Sequence, residues 1–166
     1  MIQFKKIQEN DLHFLNEVRN LYAEEFLHDS RCFSINETHY WFNKFNPDYW
    51  IIWNDNKRIG YFRLSNHSKE NFNIYVGADI HPDFIGQGLG YKSYKEFLNF
   101  LFNDPAYELN KVSLEVLATN ERALHLYKKL GFIYEGCKRQ EVLKNNMYID
   151  SIIMSILKQE WNKKNF

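Results

Sequence analysis

"DFIGQGLGYKSYKEFLNFLF", residues 83–102, sets glycines on alternate positions, Gly86, Gly88 and Gly90, and then runs directly into helical spacing. Glycine inside a helix costs about 1 kcal/mol per residue relative to alanine, so three at its opening require an offsetting gain. That gain is close approach. A turn without Cβ atoms exposes successive backbone N–H groups, and the first helical turn leaves up to four such donors unpaired beside the positive end of the dipole. A phosphate or pyrophosphate fits there, and a plain tight strand-to-helix turn fits the glycines equally well. Spacing excludes two phosphate-binding classes. The third glycine of GxGxxG would fall on Tyr91, with no acid at the usual distance beyond it, and GxxxxGK[ST] is absent.

Outward from the glycines, Gly90, Tyr94, Phe97, Leu98 and Leu101 share one helix face, and Asp104-Pro105 stops the helix. Ahead of it, residues 72–80 read as a strand ending at His81-Pro82, because the residue before proline is pushed towards extended conformations. Behind it, KVSLEVLA (111–118) is again a strand, followed by a helix from Asn120 to Leu130 that Gly131 closes. Residues 2–7 form a first strand, and Leu12, Leu15, Val18, Leu21 and Tyr22 mark a helix from about Asp11 to Phe26. Ser34 and Glu37 have capping-box spacing for a second helix that Pro47 ends. YWIIW and RIGYFRL around NDNK form one hairpin, and FIYEGCKRQEVLK with MYIDSIIMSIL around Asn145-Asn146 another. The order β-α-α-β-β-β-α-β-α-β-β, with no linker or repeat, predicts a single α/β (α+β) domain over 1–166. Its seven-stranded sheet is mixed and mostly antiparallel, flanked by about four helices. The natural parallel pair is 72–80 with 111–118, joined by a right-handed crossover through the glycine-led helix.

Composition narrows the function classes. The 166 residues carry 21 basic and 21 acidic side chains with no long run of either sign, so a sequence-independent grip on nucleic acid is not expected. The N-terminus has no apolar h-region and no stretch approaches the roughly 18 apolar residues of a membrane span, which predicts a soluble, cytoplasmic chain with a small or locally charged partner. Cys32 and Cys137 stand in no paired spacing, and the histidines form no HExxH; Glu24 and His28, at i,i+4, read as a surface pair. No metal is expected.

A second segment completes the pattern. "LATNERALHLYKKLGF", residues 117–132, places Asn120, Leu124 and Tyr127 within one quadrant of a helix, with Ala123, Leu126 and Leu130 as the burying stripe and Tyr127 at its edge. With Ile85-Gly86-Gln87-Gly88-Leu89-Gly90 against [RQ]xxGx[GA], and Asn120, Ala123, Tyr127 and Gly131-Phe132 against Nxx[AS]xxxYxxxGF, the chain resembles the GNAT family of N-acetyltransferases. The resemblance is strong over about 72–135 and topological elsewhere. One departure is Ile85, which stands where the family carries arginine or glutamine.

The resemblance implies direct attack of an amine on the thioester of acetyl-CoA, with strands 72–80 and 111–118 splayed apart to admit both substrates. It implies a pyrophosphate on the backbone N–H groups of Gln87, Gly88, Leu89, Gly90 and Tyr91, a pantetheine arm along Ile80, and an amide contact from Asn120. Tyr127 would contact the coenzyme and protonate the departing thiolate, while a backbone N–H near Ile80 or His81 would hold the oxyanion. Asp79, His81 and Glu115 are alternatives for the base, with Glu115 placed first. Trp41, Phe42, Phe45, Tyr49, Trp50 and Trp53 form either core or ligand wall, and Glu24, Glu25 and Asp29 could draw a cationic amine. The acceptor is a small-molecule amine of the amino-sugar nucleotide or polyamine class. A protein N-terminus of ribosomal type and a non-catalytic acyl-CoA-binding module are the alternatives. Homodimers are common in the family.

Overall fold

The helix-opening glycines, the capping box and the Asn-Asn turn each fix one joint of the chain. The computed structural model describes residues 1–164. Seven strands form one sheet in the order β1-β2-β3-β4-β5-β7-β6. They are β1 (Ile2–Lys6), β2 (Tyr49–Asn54), β3 (Lys57–Ser68), β4 (Asn73–Ile80), β5 (Lys111–Leu117), β6 (Ile133–Lys144) and β7 (Met147–Leu157). The helices are α1 (Leu12–Ala23), α2 (Ile35–Phe45), α3 (Leu89–Asn103), α4 (Glu121–Leu130) and α5 (Lys158–Lys164). This is the predicted order with one addition, α5, whose seven residues are too short for periodicity to declare. The chain divides into two compact units, residues 1–64 with 77–93, and residues 65–76 with the chain from 94 onward. β3, β4 and α3 each contribute to both.

In the first unit β2 pairs antiparallel with β1, from Ile2–Asn54 to Lys6–Trp50, and with β3, from Tyr49–Arg63 to Asn54–Lys57. Leu12, Leu15 and Val18 of α1 bury against Ile51 and Tyr61, so the helical period of one element meets the strand period of the next. α1 stops at Ala23, a turn short of the expected Phe26. The capping box forms as spaced: Ser34 Oγ accepts from the Glu37 amide and Glu37 Oε2 from the Ser34 amide, an arrangement worth about 1 kcal/mol. Asn46, left-handed at φ 42°, ends α2 before Pro47.

In the second unit the parallel ladder of β4 and β5 comprises Asn73–Lys111, Ile74–Val112 and Tyr75–Ser113, although β4 runs on to Ile80. β5 and β7 pair over their whole length, Lys111–Leu157 to Leu117–Ser151. Asn145 and Asn146, with φ 49° and 61°, make the turn between β6 and β7, since two successive positive φ values match the twist of the strands they join. The β6–β7 register slips between Tyr134 and Gly136 and again between Lys138 and Val142, where Gln140 takes φ 54°. Tyr94, Phe97, Leu98 and Leu101 of α3 are buried as the periodicity requires. α5 closes against that helix through Trp161, whose Nε1 donates to Asn99 Oδ1 at 2.8 Å. No helix among the described residues is long and apolar enough to cross a membrane.

Candidate active site

The glycine segment lies in the first unit. After β4, Pro82–Phe84 make a single 3-10 turn held by Phe84 N–H to the His81 carbonyl at 3.0 Å and Ile85 N–H to the Pro82 carbonyl at 3.1 Å. Gly86 and Gly88 then adopt φ 79° and 73°, and a Cβ built on either would meet nothing within 4 Å. No neighbour demands glycine there; the backbone conformation does, and the space a side chain would fill stays open beside the main chain. The first α-helical bond of α3 runs from Lys92 N–H to the Gly88 carbonyl, so the amides of Gly88, Leu89 and Gly90 precede it at the positive end of the dipole. Gln87 reaches back, its Nε2 donating to the Asp83 carbonyl at 2.9 Å. Ile85 packs on the α1 core cluster, which explains an apolar residue at the head of this loop: it anchors the turn by burial.

In the second unit Asn120 is the N-cap of α4, its Oδ1 accepting from the Ala123 amide at 3.2 Å, which leaves its Nδ2 as the group able to donate to a ligand. Tyr127 is not at the edge of the burying stripe but at its centre. With Leu130 it is buried, while Ala123, Leu124 and Leu126 are only partly so. Its ring meets Tyr94 edge-on at 5.4 Å and Phe132 at 5.7 Å. Two aromatic walls and a helix turn thus fix the phenol.

Each of the three base candidates has partners. Asp79 forms an ion pair with Arg63, and its charge lies close enough to the Tyr61 phenol to raise it. Glu115 bonds Lys138 Nζ at 2.7 Å, and that bond raises the ammonium pKa. His81 is stacked on Phe14 and edged by Phe84, with Nδ1 accepting from the Asp83 amide at 3.2 Å and Nε2 3.6 Å from Glu17 Oε1. The His81 backbone N–H donates to the Ile59 carbonyl at 2.8 Å, so it is not available as an oxyanion donor. The Ile80 carbonyl accepts the Tyr22 hydroxyl at 2.6 Å, which ties α1 to the end of β4.

The sequence reading missed the polar floor of the first unit. A cavity of about 650 Å³ opens between α1, α2 and the strands beneath them, and Trp41, Phe45 and Tyr49 of the aromatic cluster line it, whereas Phe42, Trp50 and Trp53 do not. Of the three acids proposed to draw a cation, Asp29 alone lines it, and its carboxylate takes a two-pronged grip from Arg31 at 2.7 and 3.2 Å. Arg63 reaches the cavity across Gly77, where a Cβ would lie 2.5 Å from Arg63 Nε. Burial is the largest single influence on Arg63 and opposes its charge, but Asp79, Tyr61 and Tyr49 together outweigh it and raise the guanidinium. Burial first, and Asp79 next, push the Tyr61 phenol well above its ordinary range. The signal for this group was the alternation Tyr61-Arg63 on one strand face with Gly77 and Asp79 on another, visible only once the two strands are known to be neighbours. Among the described residues no three His, Cys, Asp or Glu side chains gather as a metal site.

These features have counterparts. Residues 15–132 match the model of the acetyltransferase (GNAT) family. Over 107 residues, 64% of its length, the chain is 28% identical to a putative ribosomal N-acetyltransferase, YdaF, of Bacillus subtilis. Over 95 residues, 57% of its length, it is 32% identical to the spermidine N(1)-acetyltransferase of Escherichia coli K12. The matches span 57% and 48% of those proteins, so the chain covers about half the length of these relatives. In fold it is similar to the spermidine N-acetyltransferase of Vibrio cholerae, solved with CoA and spermine. There the TM-score is 0.88 and the identity 22%, over 97% of this chain and 98% of that one. It is also similar to YncA of Salmonella typhimurium with acetyl-CoA, at TM-score 0.77 and 14% identity, over 95% and 94% of the two chains. Glycine loop, Asn/Tyr helix, strand order and family match agree: the chain belongs to the acetyltransferase (GNAT) family.

Proposed function

We propose that the chain is an acetyl-CoA-dependent N-acetyltransferase that acylates a primary amine of a small molecule, of the amino-sugar nucleotide or polyamine class, with both units working as one catalytic domain. The observation that carries this reading is the opening of α3, where two left-handed glycines leave a Cβ-free cradle at a helix N-terminus, in a chain of this family. When bound, the coenzyme supplies an activated acyl thioester. Gln87, Gly88, Leu89, Gly90 and Tyr91 hold its pyrophosphate through their backbone N–H groups, and Ile80 and the Nδ2 of Asn120 contact the pantetheine arm. Tyr127 donates its phenolic proton to the departing sulfur, assistance typically worth 10²- to 10⁴-fold in rate.

Proton removal from the incoming ammonium proceeds through water to Glu115. Its side chain is 24% exposed and that of Asp79 only 11%, so water reaches the former more readily. Asp79 keeps Arg63 in place instead. His81 Nδ1 faces an amide N–H, which makes it an acceptor in the neutral ring, so taking a second proton there would break that bond. The test is release of free CoA thiol across a panel of amines, with Tyr127→Phe beside the parent chain. Turnover that falls 10²-fold or more at unchanged coenzyme affinity supports the assignment. Coenzyme binding without turnover of any amine would remove the enzymatic reading, and an unchanged rate in Tyr127→Phe would remove the acid.

A further inference from the structure

We propose that the cavity of the first unit is the acceptor pocket and that the Arg63 guanidinium on its floor binds an oxyanion carried by the amine substrate, an inference that rests on the acyltransferase reading above. The cavity, about 650 Å³, lies within the range that holds a ligand of drug-like size. Its aromatic wall is continuous: Trp41 meets Tyr49 edge-on at 5.1 Å, and Tyr49 stacks on Tyr61 at 5.7 Å and 14°. Such a wall suits a flat or ring-bearing body.

The polar groups decide the charge of that body. A guanidinium has five N–H donors, and among the described residues Arg63 engages one nitrogen, Nη1, with Asp79. Its side chain nevertheless stays one third exposed, at 32%, because the cavity opens onto it. The acceptors around the cavity are already engaged. Asp29 takes both prongs of Arg31 and lies 3.7 Å from Arg19, while Glu37 caps α2 through Ser34. Arg19 and Arg31 themselves cover the Phe33 ring at 4.3 and 5.2 Å. An ammonium group entering this space meets three guanidiniums and, among the described residues that line it, no idle carboxylate. A carboxylate or phosphate meets an idle fork of donors in a partly desolvated site, the geometry in which arginine binds oxyanions best.

The acceptor class that follows is an amine with a carboxylate or phosphate on a ring-containing body, as in an amino-sugar nucleotide, rather than a linear polyamine. Asp79 is then a positioning group, holding Arg63 across Gly77.

The test pairs binding with turnover on the full chain. Phenyl phosphate and benzoate, titrated without coenzyme by calorimetry, separate the two oxyanion sources. Arg63→Lys removes the fork but keeps the charge, and Arg63→Met with Asp79→Asn removes the ion pair without stranding a buried carboxylate. Circular dichroism checks that both variants fold. The expected result is a loss of probe affinity of roughly 10- to 100-fold in both variants, with KM for oxyanion-bearing amines raised by the same factor and kcat changed far less. Probe binding indifferent to Arg63, or efficient turnover of spermidine with KM unchanged by the variants, overturns the proposal. Arg63-dependent probe binding without thiol release from any amine leaves the oxyanion site standing and removes the acetyltransferase reading, so the two failures are distinguishable.

Discussion

Replacing Gly77 by alanine tests how the polar floor of the first unit is held. An ideal Cβ at Gly77 lies 2.5 Å from Arg63 Nε, 2.9 Å from Cζ and 3.0 Å from Cγ, closer than real contacts allow. All three atoms belong to one flexible side chain, so the arginine moves and the strands stay. The cost is therefore the Arg63–Asp79 pair rather than a distorted sheet. Stranding one partner of a buried ion pair costs about 3–5 kcal/mol. With the Arg63 side chain 32% and the Asp79 side chain 11% exposed, solvent recovers part of this, and about 2–3 kcal/mol remains. For a chain of this size that lowers Tm by about 5–10 °C. Urea unfolding followed by the fluorescence of the four tryptophans gives the loss directly. The decisive comparison repeats Gly77→Ala in an Arg63→Ala background, where no long side chain crosses the site. There the substitution should cost less than about 0.5 kcal/mol, because alanine otherwise suits a strand at least as well as glycine. An equal loss in both backgrounds, or a loss under about 1 kcal/mol in the parent, refutes the reasoning.

Other perturbations separate structure from ligand contact. Asn120→Asp keeps the oxygen that caps α4 and removes the Nδ2 donor, so stability should hold while coenzyme affinity falls roughly 10-fold; Asn120→Ala should in addition cost about 1 kcal/mol of stability. Gly88→Ala places a Cβ in open space at φ 73°, so its stability cost should stay near 1 kcal/mol while calorimetry shows a much larger loss of CoA affinity; unchanged affinity would argue against a phosphate cradle. The Asp29 carboxyl is held at about 2, chiefly by its hydrogen bonds from the Arg31 side chain. A depressed carboxylate stabilises the fold fully above its unfolded pKa and ceases to do so as pH falls through the folded one, so this contribution is complete above about pH 4 and lost towards pH 2. An NMR titration should find the Asp29 midpoint near 2 and return it towards the ordinary aspartate value in Arg31→Ala.

The sequence made local joints legible and long-range partnerships illegible. Ser34 with Glu37, Asn145-Asn146, Gly131 and the glycines after Phe84 are decided within a few residues, and the structure has each at its expected place. The succession of strands and helices and the parallel pair were equally readable, because alternating strand and helix periods leave few topologies. Tyr127 was placed at the edge of its stripe because spacing on a wheel does not reveal that Tyr94 and Phe132 close over it. The partners of Asp79 and Glu115 lie 16 and 23 residues away on other strands. Their availability as bases therefore depends on sheet neighbours that no local pattern encodes. Arg63, 48 residues after Leu15 of the same cavity wall, escaped for the same reason.

The two slips of register in β6 bear on how the protein behaves when concentrated. β6 ends the strand order, and a straight outer strand of twelve residues is a ready template for a neighbouring chain. Irregularity between Tyr134 and Gly136 and around Gln140 breaks that rim into runs of a few residues each, with Lys138 and Arg139 beside the second break. An incoming strand could match any one run and then lose step. Resistance to fibrous stacking is thus built from misalignment as well as from charge, and deleting Gln140 would trade that protection for a smoother border.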